Sequence, residues 1–74
     1  MRDLGLLIAF GNDRAYGEQC KGELFLQDKA KGIYNYRFTD ARCSTEIRIS
    51  RREAQAKYLT LDERGYTMDG EPLK

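Results

Sequence analysis

Apolar and polar positions alternate with a period of two through most of the first fifty residues, the spacing of half-buried strands. LGLLIAF, from Leu4 to Phe10, is apolar on both alternating faces, with Leu4, Leu6, Ile8 and Phe10 on one and Leu7 and Ala9 on the other. That predicts a strand covered on both sides. GNDRAYG, residues 11–17, carries turn formers at each end. GELFLQ, from Gly22 to Gln27, predicts a second strand, and DKAKG, from Asp28 to Gly32, is a hairpin-length link closed by glycine. IYNYRFT, from Ile33 to Thr39, gives the clearest strand. Tyr34, Tyr36 and Phe38 share one face, and Ile33, Asn35 and Arg37 share the other. DARCS turns the chain into TEIRI, from Thr45 to Ile49, whose Ile47 and Ile49 are expected to point inward. Links this short predict an antiparallel meander.

At Ser50 the period changes. Ser50 followed by Glu53 is a capping box, in which the hydroxyl accepts from the Glu53 amide and the carboxylate reaches back to the Ser50 amide. Ala54, Tyr58 and Leu61 form a narrow helical stripe, Glu53 and Lys57 are four residues apart in the favourable order, and Gly65 is placed to end the helix. The expected helix runs from Arg51 to Arg64. YLTL-DERG-YTM is a competing hairpin pattern over the same residues. Beyond it, YTM-DG-EPL predicts a C-terminal hairpin with Pro72 on an edge.

Together these elements predict one α+β domain over residues 1–74. It is a mainly antiparallel sheet of four or five strands, with one helix packed on it and a C-terminal hairpin. A chain of 74 residues buries only about 60% of the surface its unfolded form exposes, so the expected core is thin. Burial then becomes the first role of Tyr34, Tyr36 and Phe38, under the helix. Their alternative role is base stacking. KGIYNYRF shares Lys31, Gly32 and Phe38 with the sheet signature of the RNA-recognition motif but departs at Ile33, Tyr34, Asn35 and Tyr36.

Chemistry narrows the field mainly by what is missing. The chain has no histidine, which removes the commonest general base and the usual triads. Cys20, Cys43, Ser44 and Ser50 lack an activating pattern, and no phosphate-cradling glycine loop occurs. The expectation is a non-enzyme with no cofactor and no metal. Two cysteines without C-x-x-C spacing predict reduced thiols in a cytoplasmic protein. The run Leu4 to Phe10 is too short for a membrane span, which takes about 20 apolar residues. It also lacks a signal-peptide cleavage site.

Charge is close to balanced, 13 basic against 12 acidic residues, but unevenly laid out. Residues 37–57 hold six basic and three acidic residues, and residues 58–74 hold two and four. Arg51 and Arg52 occupy a first helical turn, where the helix dipole disfavours cations, and Arg48 comes just before them. Guanidinium groups at a helix start can hold a phosphate or a carboxylate. Arg48, Arg51, Arg52, Arg37 and Lys57 are the candidate partner-binding residues of a basic patch. The expected function is a protein-binding module facing an acidic patch on another protein or complex. One form is an inhibitor or adaptor of a larger machine, as compact phage-encoded defence inhibitors such as anti-CRISPR proteins are, an expectation resting on size. The second reading is a small nucleic-acid-binding protein using Arg48, Arg51, Arg52 and nearby tyrosines. A homo-oligomeric structural subunit is a third.

Overall fold

The computed structural model describes residues 4–13, 20–39 and 45–73. Five strands and one helix follow in chain order: β1 (Leu6–Asn12), β2 (Lys21–Asp28), β3 (Ile33–Phe38), β4 (Thr45–Ser50), α1 (Arg51–Thr60) and β5 (Glu63–Arg64). All five strands form one antiparallel sheet in the order β4-β3-β2-β1-β5. The expected α+β architecture is therefore present, meander and C-terminal hairpin included.

The core lies on the face of the sheet that α1 covers. Leu24 pairs with Tyr36, Leu26 with Tyr34 and Tyr34 with Ile49, so these side chains share a face. They cluster with Phe38, Ala54 and Leu61, all buried. The aromatic ladder is core, as expected. Ile49 is inward too, but Ile47 is 42% exposed, because β4 is an edge strand and its middle extends past the cover of the helix.

In β1 the simple alternation fails. The pairing with β2 slips between Leu7 and Ala9, a bulge that leaves Ile8 as the extra residue. A slip of one residue turns every later side chain to the opposite face. Ile8 and Ala9 are both buried in consequence, and Phe10 turns outward at 41% exposure. The Ile8 carbonyl then accepts from the amides of Gly65 and Tyr66 at 3.1 and 3.3 Å, which docks β5 onto β1. A second slip, between Leu26 and Asp28, frees the Gln27 side chain to accept from Asn35 at 2.8 Å.

The helix begins as expected and ends early. Ser50 is the N-cap, and both halves of the capping box with Glu53 form. Its last residue is Thr60, however, and Leu61 is already extended with φ −82° and ψ 150°. Three groups satisfy the final carbonyls. The Thr60 hydroxyl and the Leu61 amide donate to the Lys57 carbonyl at 2.9 and 3.1 Å. The Arg64 guanidinium donates to the carbonyls of Tyr58 and Leu59 at 3.0 and 3.2 Å. Termination there buries Leu61 in the core and lets residues 63–64 pair with β1. Neither the long helix nor the competing local hairpin is realised. Farther on, the Asp-Gly hairpin forms: Gly70 takes φ 85°, Thr67 and Glu71 pair across the turn, and Tyr66 bridges to Pro72.

Candidate functional site

Three of the predicted cations are already engaged. Arg37 ion-pairs with Glu23, Nε to Oε1 at 2.9 Å, and its guanidinium lies 5.4 Å from the centre of the Phe25 ring. Arg51 donates from Nη1 to the Tyr34 hydroxyl at 2.9 Å and to Asp69 at 3.1 Å. Lys57 points inward, with Nζ 3.1 Å from Asp13 and 4.9 Å from the centre of the Tyr36 ring. Each acid lies outside the basic middle segment, so folding neutralises much of the uneven charge seen along the chain. Arg48 and Arg52 are exposed, and no carboxylate among the described residues lies within ion-pair distance of either.

The five cations do not share one surface. Pairing sets Arg37 opposite Glu46 and Arg48 opposite Asn35, on the face of the sheet away from α1. Lys57 lies beneath the helix on the other side, and Arg51 ties the helix start to the C-terminal turn. Of the tyrosines, Tyr34 and Tyr36 are fully buried and are not placed for base stacking.

The most reactive-looking cluster is internal. Asp13 is fully buried, and one of its carboxylate oxygens accepts from the Tyr36 hydroxyl at 2.6 Å and from Lys57 at 3.1 Å. The Thr60 hydroxyl lies 3.4 Å from the other oxygen. A buried carboxylate is tolerable only when paired and hydrogen-bonded in this way. Among the described residues no buried side-chain nitrogen or oxygen lacks a hydrogen-bond partner. The cluster works as an internal clamp joining β1, β3 and α1. Sequence reading missed Asp13 because it sits in a turn-forming stretch and its partners are 23 and 44 positions away. No local pattern marks such pairs.

Cys20 is disulfide-bonded, which corrects the expectation of reduced thiols. The chain's one other cysteine, Cys43, lies outside the described residues. Asp13 donates to the Cys20 carbonyl at 2.8 Å and Thr39 to the Lys21 carbonyl at 2.9 Å. Asp13, Cys20, Lys21 and Thr39 thus meet at one end of the sheet. The compartment expectation loses the thiol argument on which it rested.

Outside the core, the face of the sheet away from α1 carries Phe10, Phe25, Arg37 and Arg48 among Glu23 and Glu46. At one end of it Asn35 donates to the Leu4 carbonyl at 2.9 Å. Both α1 and the C-terminal turn lie on the opposite face, where Tyr34 donates to the Met68 carbonyl at 2.8 Å. Beside Phe10 is an open groove of about 340 Å³, lined by Lys21, Glu23, Asp62 and Glu63 among others. Among the described residues no group of three or more metal-ligating side chains is placed to hold an ion, and no helix is long and apolar enough to cross a membrane. Comparison with protein-family models, with curated proteins and with solved structures finds no match to this chain.

Proposed function

We propose that this chain is a non-enzymatic protein-binding module, an inhibitor or adaptor of a larger complex, and that it docks through the face of the sheet opposite α1. One observation carries the reading: that face exposes Phe10 and Arg48, and neither the helix nor the C-terminal turn lies over it. Phe10 on β1 and Arg48 on β4 stand three strands apart, about 14 Å at the usual strand spacing, and aromatic rings and arginines are the side chains enriched at interfaces. The partner surface is apolar opposite Phe10 and acidic opposite Arg48.

Two further features favour this reading over an enzyme. The Asp13–Tyr36–Lys57 cluster is enclosed, and its groups are taken up by one another. The groove beside Phe10 is open and lacks the depth that encloses a substrate. Alternating acids on the docking face, Glu23 and Glu46, weigh against a phosphate backbone as the ligand.

The test is capture from a host lysate on the immobilised chain, with and without nuclease, comparing wild type with Phe10→Ala and Arg48→Glu. A partner retained after nuclease and lost with both substitutions supports the proposal. Retention that nuclease abolishes, with a steep salt dependence, moves the function to nucleic acid. Binding unaffected by either substitution removes this face as the site.

A further inference from the structure

We propose that the chain forms a two-fold dimer by pairing the outer edges of two β4 strands, making one continuous ten-stranded antiparallel sheet. β4 lies at one end of the strand order, and among the described residues no strand pairs with its outer edge. Such an edge offers a row of backbone donors and acceptors to another strand.

The side chains of β4 say which strand. Along an antiparallel edge, successive residues turn their backbone groups alternately toward and away from the neighbour. Two copies of β4 therefore pair only in registers that match outward with outward, which means a two-fold axis through a residue. Centred on Ile47, Glu46 of each copy faces Arg48 of the other, twice. Centred on Glu46 or on Arg48, that residue faces its own copy, like charge against like. Opposite charges directly across strands stabilise and like charges destabilise, so among the registers centred on Glu46, Ile47 and Arg48 the charges favour the one centred on Ile47. Charges guard an edge when they repel every incoming strand. This pair leaves a self-pairing in which each charge meets its opposite.

Burial agrees with the same axis. Ile47 is 42% exposed at the rim of the core face, beside Tyr36 across the β3–β4 pair. The dimer sets it against Ile47 of the second copy and covers both. The axis also sets the two Phe10–Arg48 faces side by side on one surface. The inference is nevertheless independent of the function proposed above, because it is tested on the isolated chain.

Sedimentation velocity on the purified protein, up to about 1 mM chain, reads the result. An interface of two six-residue edges is small, so the expected wild type is a concentration-dependent monomer–dimer mixture. Glu46→Arg alone and Arg48→Glu alone each weaken the dimer about 10- to 100-fold. The double substitution Glu46→Arg/Arg48→Glu restores it. Mixing the two single variants yields heterodimers, since each supplies the charges that the other lacks. A wild type that stays monomeric throughout overturns the proposal, as does a dimer that both single reversals leave intact. Neither failure touches the lysate capture, which reads partner retention on immobilised monomer.

Discussion

The hydroxyl of Tyr36 donates to the buried carboxylate of Asp13 at 2.6 Å. Its phenol ring reaches that position across Gly22, on the neighbouring strand. A Cβ at Gly22 would collide with the Tyr36 hydroxyl and with the ring carbon bearing it. Gly22 has ordinary backbone angles, and its role is purely one of space.

Gly22→Ala is expected to destabilise the fold by about 1–3 kcal/mol, the cost of overpacking a filled core. Tyr36→Phe removes the colliding oxygen, so adding Gly22→Ala to that variant costs less than adding it to wild type. A double-mutant cycle by urea denaturation measures the difference. Strict additivity would show that the phenol does not need the space above Gly22.

Asp13→Ala removes the carboxylate that the largely enclosed Lys57 ammonium and the Tyr36 hydroxyl both contact. Breaking one side of a buried ion pair costs about 3–5 kcal/mol. Replacing both ends, as Asp13→Ala/Lys57→Met, recovers part of that loss because no uncompensated charge remains. Denaturant midpoints of the single and double variants give the comparison.

Burial pushes the Tyr34 phenol up from its ordinary value, opposed by the Arg51 guanidinium beside it and reinforced by Asp69. The folded chain thus holds this proton more tightly than the unfolded chain. The stability it contributes is complete below about pH 10, the unfolded phenol's value, and is lost as pH rises through the folded value. Tyr34→Phe is less stable than wild type at neutral pH, having lost the bonds to Met68 and Arg51. The gap between the two narrows above pH 10. Parallel alkaline melting curves would count against the linkage.

Reduction of the Cys20 disulfide is expected to cost about 2–4 kcal/mol, chiefly by freeing the unfolded chain. Thermal melts with and without a thiol reductant test this, and Cys20→Ser should reproduce the reduced value. An unchanged melting temperature under reductant would restore the free-thiol reading.

Arg51 and Arg52 are neighbours in the first helical turn but differ in consequence. Arg51→Glu loses the Tyr34 hydroxyl and sets two carboxylates together at Asp69. The pair is half exposed and screened by water, so the loss is about 1 kcal/mol. Arg52→Glu meets no such partner, and an acid in the first turn suits the helix dipole, so stability holds or rises by about 0.3 kcal/mol. Opposite signs for the two reversals in one set of melts would bear this out.

What the sequence determined by itself was whatever depends on near neighbours. The strands from β1 to β4, the Ser50–Glu53 box and the Asp69-Gly70 turn each rest on residues within a few positions of one another, so period and turn chemistry reveal them. Tertiary structure decided the rest. Helix α1 stops at Thr60 because burying Leu61, pairing residues 63–64 with β1 and capping by Arg64 together outweigh four more helical residues. The bulge at Ile8 turns Phe10 outward, which no alternation in LGLLIAF announces. The candidate cations show the same division. Their charges are plain in the sequence, but Lys57 chose Asp13, Arg37 chose Glu23 and Arg51 chose Asp69 only once the sheet had brought distant acids beside them. Charge acts through space, and spacing along the chain does not say which opposite charge will be near.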